Sequence, residues 1–223
     1  MIPPALRGPA SALMLLVALA PVSASTGPMG PVRFPPARGF LDEQPGGLVL
    51  VGAAVRMREG IPFYSLGYYI NLSELLPLAG PGPHNLAQLA RILMEGRVQQ
   101  AFITRFHQPV SRERRRAFLL TNLKRWWPEP EFNEAAPTVR QFVAFFDEPL
   151  ARGEETEVWI RKGVAFTRKP GKPFHRTSDR SICRAFLASY LSGETMEGAE
   201  QPLQQDLLRD LPDLLRKRSS PNR

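Results

Sequence analysis

The sequence predicts an α+β domain, a largely antiparallel sheet with a layer of helices on one face. Two observations carry that prediction. Residues 48–72 and 155–168 each read as a β-hairpin, and hairpins build antiparallel sheets. Between and after them, four stretches repeat apolar residues at helical spacing, so each has one face to bury against that sheet. No internal repeat interrupts this order.

The elements follow in sequence. Leu48 to Arg56 (LVLVGAAVR) is an apolar run, Met57 to Gly60 a turn, and 61–72 a β-prone stretch with Phe63, Tyr64, Tyr68, Tyr69 and Ile70. Order is expected to begin at Leu48. Pro77 to Pro83 is a cluster of helix breakers. Leu86, Leu89, Ala90 and Leu93 then mark an amphipathic helix, with Gly96 as its stop. Val98 to His107 alternates as a strand. Ser111 caps a helix from Arg112 to Trp127, with Ala117, Leu120, Leu123 and Trp127 on one side and Pro128 ending it. Its first turns hold Arg112, Arg114, Arg115 and Arg116, which oppose the helix dipole; a solvated face is the plain reading and an anion-facing patch the other. Val139, Phe142, Val143 and Phe146 define the next helix. Residues 155–161 and 164–168 flank Lys162-Gly163 as a hairpin. A last core helix spans 178–192, capped by Thr177 or Ser178, with Ile182, Phe186 and Tyr190 inward. Leu203, Leu207, Leu211 and Leu214 give a weaker helical pattern.

Composition narrows the function. The chain has 223 residues, one Cys and three widely spaced His, so it has no internal disulfide framework and no zinc-hydrolase spacing. Walker A, GxGxxG and GxSxG motifs are absent. The formal charge of +8 suits an anionic partner, but no nucleic-acid-binding motif accompanies it. No cofactor or metal is expected.

The first residues read as an export signal. Arg7 gives a positive start, Ala12 to Ala20 an apolar stretch too short to span a bilayer, and Val22-Ser23-Ala24 a cleavage site. The expected organisation is therefore a signal peptide at 1–24, an irregular Pro/Gly-rich arm at 25–46, one domain at 47–194, and an extension at 195–223 with a short helix. A secreted or periplasmic location follows, with no membrane span after cleavage. No feature of the sequence bears on oligomeric state.

Three segments carry a family resemblance. LVLVGAAVRMREGIPFYSLGYYIN at 48–71 has a strand ending in Arg, a short turn and a Tyr-rich strand. RVQQAFITRFHQPVSRERRRAFLLTNL at 97–123 is a strand followed by a Ser-capped helix. Residues 141–193 run from a Phe-rich helix through a hairpin to a helix ending in LSGE. In order and spacing these resemble the chalcone isomerase family, in particular its bacterial exported, chalcone isomerase-like branch. The resemblance implies an open-faced β-sandwich, a curved antiparallel sheet backed by helices, with a ligand cleft between.

What the resemblance implies for the site is mixed. Arg56 matches the Arg that binds the substrate phenolate in plant chalcone isomerases, and Asn122 matches a family Asn. Tyr64 stands where the isomerases have Thr, Arg115 where they have Tyr, and Phe118 where they have Lys. Tyr190 stands at a substrate-contacting Thr or Ser. The pattern is closer to the family's fatty-acid-binding members, in which an Arg and a Tyr on the first two strands hold a carboxylate. A guanidinium beside a phenol makes a directed anion site in its own right. The expected ligand-binding residues are thus Arg56, Tyr64, Asn122 and Tyr190, with no catalytic residue assigned. Phe63, Phe102, Phe106, Phe142 and Phe186 either line a tail cavity or fill the core. Three functions remain open: a binding protein for a fatty acid or similar amphipathic carboxylate, an isomerase-type intramolecular lyase acting on a phenolic compound, and a structural or partner-binding domain with a filled cleft.

Overall fold

The computed structural model describes residues 32–39, 47–82, 84–128, 131–194 and 202–219. The expected signal peptide lies outside the described residues, as does much of the arm. Seven strands form one curled, fully antiparallel sheet in chain order: β1 (Ala37–Arg38), β2 (Leu48–Arg58), β3 (Ile61–Ile70), β4 (Gln100–Phe106), β5 (Glu155–Arg161), β6 (Val164–Arg168) and β7 (His175–Thr177). The helices are α1 (Leu72–Ala79), α2 (Leu86–Met94), α3 (Arg112–Trp126), α4 (Pro137–Phe145), α5 (Arg180–Leu191), α6 (Gln204–Leu207) and α7 (Leu211–Ser219).

The hairpin that matters for the site is β2–β3. Its two-residue turn places Glu59 and Gly60 at φ +53° and +72°, the left-handed pair that matches the twist of adjoining strands. The register that results sets Arg56 directly opposite Tyr64, and Tyr64 opposite Phe106 on β4. Farther along the hairpin the sheet is buried on both sides. Val51, Ala54, Tyr68, Ile70, Phe102 and Ile160 face the helices; Leu48, Leu50, Tyr69, Ile103 and Trp159 face the other way. That two-sided burial is why 48–54 reads as a continuous apolar run and not as an alternation.

Several expectations need correction. Order begins before Leu48: β1 pairs with β2, and Val32 and Phe34 are buried on the face opposite the helices. A Cβ on Gly67 would lie 2.7 Å from the Phe34 ring, so the bare backbone there is what seats that side chain. The breaker cluster hides α1. Asn71 accepts from the backbone N–H of Ser73 and Glu74 at 3.1 and 3.3 Å, and the helix tolerates Pro77 within its eight residues. The cap of α5 is Asp179, accepting from Ser181 and Ile182 N–H. In α3 the buried residues are Arg115, Leu119, Asn122 and Leu123, so the inward face is rotated from the expected one, and Trp127 lies past the helix against Phe132.

The helical pattern near 203–215 is two helices, α6 and α7, fixed on β2. Leu207, Leu208, Leu211 and Leu215 are fully buried, and Asp210 N–H donates to Val51 C=O at 3.1 Å. Gly52 permits this approach: a Cβ there would overlap the carbonyl oxygens of Asp206 and Leu207 and lie 2.6 Å from the Leu207 carbonyl carbon. Among the described residues no helix is long and apolar enough to cross a membrane.

Candidate ligand cavity

A cavity of about 310 Å³ opens between the tip half of the sheet and helices α3 and α5. Strands supply Arg56, Tyr64, Thr104, Phe106, Thr156 and Val158. Their alternation explains the set: Arg56, Tyr64 and Phe106 share one cross-strand row, and Thr104 and Thr156 pair in the next. The helices supply Arg115, Phe118 and Leu119 from α3 and Phe186 and Tyr190 from α5, and Phe146 closes one side. Arg58, Phe63 and Arg114 stand at the rim side, next to the hairpin tip. Arg114 covers the Phe63 ring at 5.3 Å.

Arg56 is 3% exposed and Tyr64 2%. The guanidinium of Arg56 lies over the Phe118 ring, 4.3 Å from its centroid, and 5.6 Å from that of Tyr64. Two aromatic faces therefore hold the charge in the cavity wall. The Tyr64 hydroxyl is buried and faces the phenol of Tyr190. Tyr190 is its neighbour; burial holds the Tyr190 phenol well above its usual range, Tyr64 adds to that, and Arg56 works against it. The Tyr190 phenol is thus a neutral donor at ordinary pH. Arg115, 5% exposed, donates from Nη1 to Glu148 C=O at 3.1 Å and stacks 5.0 Å from Phe146. Burial pulls its pKa down to about 10, with Glu148 and Glu154 opposing that pull.

The balance of charge is one-sided. Among the described residues, four arginines line the cavity and no carboxylate does. Three of the four expected ligand-binding residues, Arg56, Tyr64 and Tyr190, meet there. Asn122 is not a lining residue; its Nδ2 donates to Phe118 C=O at 2.7 Å, one turn back in α3. Of the five phenylalanines, Phe63, Phe106 and Phe186 line the cavity, whereas Phe102 and Phe142 are core, stacked on Tyr68 and against Phe146. Arg115 and Phe118 were noted in the sequence only as departures from the isomerase pattern. The signal for them was the inward phase of α3, which runs through Arg115, Leu119 and Asn122.

A curled antiparallel sheet, helices on one face and a cleft between them at the end of the first long hairpin together constitute the chalcone isomerase-like fold. Among solved structures, a fatty-acid binding protein of Arabidopsis thaliana matches with a TM-score of 0.66 and 18% identity, over 86% of this chain and 96% of that one. At that identity the likeness is one of fold. No family model matches the chain, and no curated protein matches it in sequence.

Proposed function

We propose that this chain is an exported, non-catalytic binding protein for a fatty acid or similar amphipathic carboxylate. The observation that carries the reading is the cavity's lining: Arg56, Tyr64 and Tyr190 grouped on an otherwise largely apolar wall, with no acidic residue among the lining. A carboxylate accepts from the Arg56 guanidinium and the buried Tyr64 hydroxyl, a charge-assisted pair in a desolvated setting. Phe106, Val158 and Phe186 give the tail an apolar bed. The fold neighbour's fatty-acid binding supports the same ligand class. An isomerase reading has less to stand on, because Arg115 and Phe118 occupy the positions of the family's Tyr and Lys. A filled cleft does not fit the open volume beside Arg56.

Calorimetric titration of saturated fatty acids, octanoate through palmitate, into the wild type and Arg56→Ala tests the anchor. Loss of Arg56 should weaken binding by about 2–5 kcal/mol, because it leaves the carboxylate desolvated and unpaired. Equal affinities, or binding by neither protein, would remove the anchor. Export rests on the apolar stretch and the Val22-Ser23-Ala24 site. N-terminal sequencing of protein from a bacterial periplasm should begin at Ser25, and recovery of uncleaved chain in the cytoplasm alone would refute it.

A further inference from the structure

Arg115 is a second cation in the cavity wall, and the carboxylate anchor at Arg56 does not use it. It lies at an inward position of α3, between the cavity and the Phe146 ring. Nη1 is tethered to Glu148 C=O, but Nη2 is buried and meets no acceptor among the described residues. The two nearest carboxylates have other commitments. Glu148 pairs with Lys169 at 2.9 Å, and Glu154 accepts from Ala151 N–H at 2.6 Å. With its pKa near 10 the group stays charged at neutral pH. A buried guanidinium with a donor lacking an acceptor is costly unless an anion joins it.

The position of Arg115 says what kind of anion. Arg56 enters the cavity from β2, whereas Arg115 enters it from α3 and is tethered to Glu148 in the segment between α4 and β5. One carboxylate on Arg56 and Tyr64 leaves the buried Nη2 of Arg115 without an acceptor. A simple fatty acid would put methylenes there, beside an unsatisfied charge. At about 310 Å³ the cavity is at the small end of the range for small-molecule sites. That suits a chain of no more than medium length, whose two ends both meet polar groups.

We propose that Arg115 is a second anion site of this cavity, and that the preferred ligand is a medium-chain amphiphile with two anionic groups, a dicarboxylate being its simplest form. The proposal rests on the carboxylate anchor at Arg56 and adds the second end. Binding of octanoate and decanoate is compared with that of octanedioate and decanedioate by calorimetry at pH 7.5, in the wild type, Arg115→Leu and Arg115→Lys. The wild type should bind the diacid roughly tenfold or more tightly than the equal-length monoacid, since the added contact is a charge-assisted one. In Arg115→Leu that preference should fall to about one, and Arg115→Lys should keep part of it. A wild type without preference for the diacid would overturn the second site and leave the anchor standing. An unchanged preference in Arg115→Leu would do the same. Binding of none of the four acids would overturn both. Should Arg115→Leu not fold, the wild-type preference and its reduction in Arg115→Gln decide the matter.

Discussion

Gly52→Ala tests how α6 and α7 are held on the sheet. The added methyl would overlap two backbone carbonyl oxygens and sit 2.6 Å from the Leu207 carbonyl carbon, so a backbone, not a flexible side chain, must move. Opening that contact to ordinary van der Waals distance requires a retreat of about 1 Å, and a gap of that size forfeits about a quarter to a half of the dispersion energy across it. The atoms affected are those of Leu207, Leu208, Leu211 and Leu215, all fully buried. Burial of each stabilises by about 1.5–3 kcal/mol, so the partial loss amounts to about 1.5–6 kcal/mol. The same retreat stretches the Asp210 to Val51 hydrogen bond. Urea unfolding followed by Trp fluorescence measures the change. Hydrogen exchange at the amides of 207–215 locates it. Gly47→Ala is the control, because a Cβ there meets nothing within 4 Å. A Gly52→Ala destabilisation below about 0.5 kcal/mol, or one no larger than the control's, would refute the packing argument.

Three further outcomes follow from buried groups. Tyr64→Phe should cost the empty protein no more than about 1 kcal/mol, because the hydroxyl faces only the Tyr190 phenol, yet should weaken fatty-acid binding by about 1.5–3 kcal/mol; thermal melts and titration separate the two effects. Burial pushes the Cys183 thiol up to about 12, so iodoacetamide at pH 8 should leave the native protein unmodified by mass spectrometry and label the urea-unfolded protein fully. Burial, then Arg105 and Arg152, lower the His107 pKa, and the ring shares a 2.7 Å hydrogen bond with Ser65. The unfolded chain, with an imidazole near 6.5, therefore takes up the proton first as pH falls. Stability should drop as pH falls from about 6.5 through the folded value, and His107→Gln should remove that part of the pH dependence in urea melts from pH 7.5 to 5.

The parts of the fold legible in the sequence are those where one physical rule acts alone. The β2–β3 hairpin is one: a Glu-Gly turn between β-prone runs fixes its register, and with it the Arg56–Tyr64 pair. β5–β6, with its Lys162-Gly163 turn, is another. α1 escaped notice because Pro77 argues against a helix, whereas Asn71 capping and the burial of Leu72 and Leu75 outweigh that cost. The arm at 25–46 was expected to be irregular because Val32 and Phe34 have no period; their burial depends on the opposite face of the sheet. In α3 the error is instructive. Reading the helix by its apolar residues picks Ala117 and Leu120, yet the inward stripe contains Arg115 and Asn122. Polar residues turned inward break the pattern used to find the inside, so the inner face was hardest to read where it departs from core chemistry.

The attachment of both β1 and α6–α7 to β2 has a consequence for how the chain reaches its native state. β2 is made early, and residues 37–38, which pair with one of its edges, precede it, but its helix-side surface awaits residues 204–215. At the usual pace of translation the latter emerge roughly 8–30 s after β2. Throughout that interval LVLVGAAV is an apolar segment of high strand propensity with its covering layer absent, the kind of segment that pairs with copies of itself. Holdase chaperones or slow translation should therefore raise the soluble yield far more than any gain in final stability, and loss of residues 204–219 should turn the same strand into the chain's main aggregation site.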